Sequence, residues 1–131
     1  MVVWQAYRFA LDPNDRQRGR LASHAGGARY AYNLGLQWLR ASEGTQARAL
    51  EMLARWDRWK TDPANGVSWW SDNARCVYQE AFIDLERAAR DFRAGRGGKR
   101  FPRFKRKGKS RDHFRLRGLI GVGPAWIQLP T

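Results

Sequence analysis

The pattern of apolar residues predicts an α+β fold: one strand at the start, three helices inserted after it, and two short strands returning at the end. Three observations carry that prediction. Residues 2–11, VVWQAYRFAL, alternate in a period of two and are rich in β-branched and aromatic side chains. Three later stretches change to apolar spacings of three and four. After a long basic run, residues 113–120 and 125–129 return to short β-type segments around Gly121, Gly123 and Pro124. Two strands are marginal alone in water, so they are expected to pair with the first.

In order along the chain, Asp12-Pro13-Asn14-Asp15 ends the first strand and offers Asp12 or Asn14 as a helix cap. A helix is predicted over 15–41, with Leu21, Ala25, Ala28, Tyr32, Leu36 and Leu39 on one stripe. Gly26, Gly27 and Gly35 weaken it by about 1 kcal/mol each relative to Ala, which points to a close crossing by a neighbour. Asn33 is a poor helix former and is expected to make a specific hydrogen bond. A second helix is predicted over 46–60, capped by Thr45, with Leu50, Leu53 and Trp56 inward. The loop TDPANG follows at 61–66. The third helix is predicted over 71–94, capped by Ser71 or Asp72, with the stripe Ala74, Val77, Ala81, Leu85, Ala88 and Phe92. Glu86 with Arg90 and Arg87 with Asp91 read as outer-face pairs at i,i+4.

A chain of 131 residues is one domain, or one domain with a small appendage. Its 43% hydrophobic content and seven Trp argue against disorder outside the basic run. The lone Cys76 excludes an internal disulfide and any CxxC pair, and MVVWQAYRF lacks the apolar run of a signal peptide. No stretch approaches the ~20 apolar residues of a membrane span. A reducing, cytoplasmic setting in contact with nucleic acid is the expectation.

The charge is concentrated. Residues 93–117, RAGRGGKRFPRFKRKGKSRDHFRLR, hold twelve Lys or Arg against one acid, Asp112, so nearly all of the chain's net +13 resides there. Phe101, Phe104 and Phe114 are interleaved with the cations, Pro102 stiffens the centre, and glycines allow close backbone approach. Arg and Lys seek phosphate, and Phe provides a face on which bases or sugars stack. A solvated basic loop would have the same composition, but blocks of like charge repel one another and call for a polyanionic partner. A membrane surface fits less well, because no amphipathic apolar face accompanies the run.

No catalytic constellation, metal site or cofactor site is legible. His24, Cys76 and His113 lack ligand spacing, Cys76 has no base in evidence, and no GxxxxGK[ST] loop occurs. Arg75 and Gln79 lie one turn apart on the third predicted helix, a pairing suited to guanine and adenine edges in a major groove. The same spacing equally describes a polar helix surface. Trp69 and Trp70 read as packing residues, with a stacking platform as the alternative.

Taken in order, further motifs form a recognisable series. Tyr7-Arg8-Phe9 is followed by Leu11 and Pro13, then Gln17, then Gly26-x-x-Arg29-x-x-Tyr32-Asn33-x-x-Leu36. Later come Leu85-x-x-Ala88-x-x-x-Phe92, Phe101-Pro102-Arg103-Phe104-Lys105-x-Lys107-Gly108 and Ile127-x-Leu129-Pro130. This series resembles the N-terminal part of the TnpB/OrfB transposase family, RNA-guided nucleases of mobile elements related to compact type V CRISPR effectors. The resemblance implies a three-helix recognition bundle, residues 13–98, inserted in a small, partial, wedge-like β-barrel built from 1–12 and 99–131. It implies guide-type RNA and duplex DNA as partners, with the guide–target heteroduplex held through its backbone. It also implies a flanking-duplex contact by Arg75 and Gln79. Trp4 stands where a polar residue is common in the family.

The residues expected at nucleic acid are therefore Arg75, Gln79, Arg96, Lys99, Arg100, Arg103, Phe104, Lys105, Arg106, Lys107, Lys109, Arg111, Arg115 and Arg117. Arg29, Tyr32, Asn33, Phe92 and Pro102 are expected to hold structure, and Phe101 and Phe104 could instead anchor the loop. The family's nuclease portion carries Asp, Glu and Asp for two metal ions and a Cys-rich zinc finger. The chain reaches Thr131 before any of them, so no catalysis is expected from it alone. The rival expectations are a free-standing RNA-binding protein of ribosomal type, a transposase remnant without function, and a front piece whose nuclease portion is another chain.

Overall fold

The computed structural model describes residues 1–130. Three helices make the body: α1 (Asp15–Ala41), α2 (Ala49–Trp59) and α3 (Arg75–Arg93). A two-stranded antiparallel hairpin, β1 (Gly121–Val122) and β2 (Ile127–Gln128), closes the described chain. Its register pairs Gly121 with Gln128 and Val122 with Ile127.

Local chemistry explains where each helix starts. Asn14 and Gln17 form a reciprocal capping box at α1, each backbone N–H meeting the other's side-chain oxygen at 2.9 Å. Thr45 does not cap α2. The α2 N-terminus is instead satisfied by Glu86 of α3, whose carboxylate accepts from Ala49 N–H at 2.7 Å, while Thr45 offers its carbonyl to Arg93. Glu86 is thus an interhelical cap rather than the partner of Arg90. Asp91 pairs with Arg96 at 3.6 Å rather than with Arg87. Ser71 and Asp72 belong to a short 3-10 turn, Ser68–Asp72, so α3 begins four residues later than the sequence suggests.

The core lies between α3 and the other two helices. Leu36, Trp56, Val77, Tyr78, Phe82 and Leu85 are fully buried. Trp56 stacks obliquely on Tyr78 with centroids 4.7 Å apart, and Trp38 meets Phe82 at 6.3 Å and Trp59 at 5.7 Å. On α2 the inward set is Ala49, Met52, Leu53 and Trp56. Leu50, expected inside, is exposed because it lies about 100° round the helix from Ala49. The close crossing expected at the α1 glycines is present at Gly27 and Gly35 but not at Gly26, where a methyl would meet only Arg29 of the same helix at 3.6 Å. A methyl at Gly35 would stand 3.0 Å from Leu85 and 3.2 Å from Phe82, and one at Gly27 would stand 2.9 Å from Asn73.

The sheet is smaller than expected. Residues 2–11 run without a ladder partner among the described residues, and 113–120 form no strand. The second departure has a direct cause: Arg115 and Arg117 are drawn onto α3 by carboxylates, so this segment crosses the helices instead of entering a sheet. Lacking that neighbour, the first segment has no edge to join, and the sheet among the described residues is the hairpin alone. Among the described residues, no helix is long and apolar enough to cross a membrane.

Candidate nucleic-acid interface

The basic segment is strapped across the helices by bonds that consume some of its own charge. Asn33, half-buried on α1, makes a two-way bond with the backbone of one residue of the strap: its amide donates to the Lys105 carbonyl and its oxygen accepts the Lys105 N–H, both at 2.8 Å. One turn earlier, Arg29 donates to Asp112 at 2.9 Å. Tyr32, between them, carries the Lys105 ammonium 4.2 Å above its ring. The Gly26-to-Asn33 motif therefore presents three consecutive contacts, Arg29, Tyr32 and Asn33, to the strap.

A second set of ties comes from α3. Glu80, buried, receives Arg115 Nε at 3.1 Å on one oxygen and ion-pairs with Arg117 through the other. Asp84 also binds Arg115. An unpaired carboxylate at this depth would be strongly unfavourable, so the two arginines neutralise Glu80 and hold the strap in register. At the strap's start, Pro102 is buried and Phe101 packs edge-on against Phe92 at 5.3 Å. Phe114 packs on His24 at 5.3 Å.

Between these anchors the strap projects outward. Residues 106–110 close a tight turn, with Ser110 N–H donating to the Arg106 carbonyl at 2.9 Å and Ser110 Oγ accepting Arg106 N–H at 2.9 Å. Gly108 sits at φ 79°, a conformation that favours glycine there. Lys99, Arg100, Arg103, Arg106, Lys107, Lys109 and Arg111 are exposed, and among the described residues their side chains enter no ion pair or hydrogen bond. The expected binding set thus separates into presented cations and Lys105, Arg115 and Arg117, which are engaged within the molecule. Arg115 and Arg117 nonetheless remain exposed, as does Arg96, which is engaged by Asp91.

Burial acts on the anchored groups. It lowers the pKa of Lys105, with nearby Asp84 opposing, and lowers that of His113, where the positive Lys105 adds to the effect. Burial raises the Tyr32 phenol, reinforced by Asp84. Lys105 Nζ and His113 Nε2 lie 3.3 Å apart.

Arg75 and Gln79 lie one turn apart at the start of α3, Arg75 exposed and Gln79 half-buried. Arg75 is bound by Asp57 of α2 at 2.8 Å, and its guanidinium holds that carboxyl below the ordinary range. Asp57 also pairs with Lys60 at 3.0 Å, and Lys60 lies over the Trp70 ring at 4.3 Å. Trp69 meets Tyr30 edge-on at 5.1 Å, so both tryptophans pack against the body.

Sequence reasoning missed Glu80, Asp84, Asp57 and Arg40. A signal existed for the first two: Val77, Glu80, Ala81, Asp84 and Leu85 keep spacings of three and four, which places two acids on an apolar stripe. Among the described residues, no three His, Cys, Asp or Glu side chains gather as a metal site.

With this geometry in place, comparison with known proteins gives consistent relatives. Residues 1–41 match a family model described as a helix-turn-helix domain of the OrfB, IS605 type. A protein of Escherichia coli named "Putative RNA-guided DNA endonuclease InsQ" is 32% identical over 114 residues, which is 85% of this chain. The chain is related to the N-terminal region of the TnpB/OrfB family. Its similarity extends to "Putative RNA-guided DNA endonuclease Rv2885c" of Mycobacterium tuberculosis, 29% identical over 127 residues and 82% of this chain. The chain spans only 27–28% of the length of these TnpB/OrfB relatives. No solved structure matches it. Within residues 1–41 the structure holds a single helix, α1, so any second helix of a helix-turn-helix unit lies beyond the matched stretch.

Proposed function

We propose that this chain is the nucleic-acid-holding front portion of a TnpB/OrfB-like protein and catalyses nothing by itself. In this reading the strap grips the phosphates of guide-type RNA or of a guide–target heteroduplex. The carrying observation is the set of seven exposed cations, unpaired among the described residues, on a segment fastened at Lys105 by Asn33, at Asp112 by Arg29 and at Arg115 by Glu80. Fixed cations meet a polyanion with less ordering cost than cations on a free tail. The relatives' description as RNA-guided DNA endonucleases supports the choice of partner.

Residues 13–98 act as the recognition part, and 1–12 with 99–131 as the wedge-like part. Arg75 reads the flanking duplex together with Gln79. Its pairing with Asp57 supports this, since a buttressed guanidinium presents its remaining N–H groups in a fixed fork. The setting is the prokaryotic nucleoid, and the nuclease portion that the relatives' name requires supplies the chemistry.

The test is the salt dependence of binding to an RNA–DNA hybrid. Replacing Arg103, Arg106, Lys107 and Lys109 by Gln should flatten the log–log slope by roughly 3–4 units, with the melting temperature unchanged. An unaltered slope removes the strap from the interface. Metal-dependent cleavage by the purified chain would refute the non-catalytic reading.

A further inference from the structure

We infer that Phe104, backed by Arg40, is a stacking ledge for an unpaired nucleobase, so that the strap distinguishes single-stranded from duplex nucleic acid. This rests on the proposed function above and narrows it to one contact.

The two phenylalanines of the Phe-Pro-Arg-Phe motif behave differently. Phe101 is half-buried and packs edge-on against Phe92. Phe104 is 44% exposed, though it lies only three residues further along the same strap. Its position is nonetheless fixed. Pro102, two residues before it, is buried, and both backbone polar groups of Lys105, the residue after it, are bound by Asn33. The ring therefore stands on an anchored backbone and contributes little to the core.

One side of that ring is already occupied. Arg40, exposed in the last turn of α1, brings its guanidinium carbon to 4.7 Å from the Phe104 centroid, and to 6.0 Å from that of Phe101. A cation seated on one face fixes the ring's plane and leaves its exposed surface for a second planar group. Arg103 and Arg106, free and exposed, flank the ring in sequence and suit the phosphates on either side of a stacked base. The chemistry is that of single-strand recognition, an aromatic face between cations. A base inside a duplex is stacked on its neighbours and cannot reach such a ledge.

The probes are a single-stranded oligonucleotide carrying one 2-aminopurine, in ribo and deoxyribo forms, and a blunt duplex. The 131-residue chain should quench the 2-aminopurine on binding. Phe104→Ala should abolish the quench and weaken single-strand binding about tenfold, while duplex affinity stays within about twofold. Phe104→Trp should restore both signals, whereas Phe104→Leu, which keeps apolar bulk, should not. Arg40→Ala should weaken single-strand binding by about threefold. Loss confined to the ribo form assigns the ledge to RNA, and loss in both forms assigns it to any unpaired strand.

Four results would overturn the ledge. Phe104→Ala could retain the quench, or it could lose duplex and single-strand binding equally. The unmodified chain could bind duplex yet leave 2-aminopurine unquenched, in which case the phosphate-gripping strap survives and the ledge does not. A chain that binds neither probe overturns both.

Discussion

Two extended segments, the strap at 99–117 and the amino-terminal stretch at 1–14, flank the same helical body with opposite results. The strap is the less promising of the two by composition: it is cationic, glycine-containing and self-repelling. Yet it is fastened at Asn33, Arg29, Glu80 and Asp84 by directional bonds. The amino-terminal stretch is richly apolar, but Val2, Trp4, Tyr7 and Phe9 remain exposed and no strand forms. Apolar surface rewards any burial and selects no address, whereas a two-way amide bond or a buried carboxylate accepts one partner in one register. A segment without a complementary edge stays unpaired however β-prone its residues are.

Removing the α3 ties should have the largest effect. Arg115→Ala combined with Arg117→Ala leaves Glu80 buried and unpaired, a loss of about 3 kcal/mol. Thermal melting should fall by roughly 10 °C. A shift of a degree or two would mean that Glu80 relaxes into solvent and that the strap's register is set elsewhere.

Asn33→Ala comes next. It strands the Lys105 N–H and carbonyl and should cost about 1–2 kcal/mol. Hydrogen exchange should accelerate at Lys105 and across the 106–110 turn, with protection inside α3 kept.

A smaller effect concerns pH. Because burial and Lys105 depress His113, the folded strap favours the neutral imidazole. Stability should therefore be intact above the ordinary histidine pKa of about 6.5 and decline as pH falls through it, since protonation then favours the unfolded chain. Melting temperatures at pH 7 and pH 5 should differ less in His113→Asn than in the parent.

Smallest of all is the effect expected at the other segment. Deleting residues 2–11 keeps the Asn14 capping box and should change stability by no more than about 0.5 kcal/mol. A larger loss would show that the amino-terminal stretch is fastened after all and would dissolve the contrast.

Much of this organisation was written in local pattern. Periodicity places α1 and the α3 stripe because a helix repeats its inward face every three or four residues whatever lies opposite. The Asn14–Gln17 box and the concentration of cations in 93–117 are equally local properties, readable from neighbouring residues. The close approach at Gly35 was also legible, since glycine on a helix's buried face has few other uses. The cap of α2 by Glu86, the neutralisation of Arg115 by Glu80, the bond from Asn33 to Lys105 and the seating of Arg40 beneath Phe104 were not. Each joins residues between 35 and 72 positions apart, with the exact pairing set by how the helices cross. Which cations face solvent and which serve as internal counterions is likewise a property of the assembled core. Charge is carried by single residues, but its availability depends on the three-dimensional position of the nearest carboxylate.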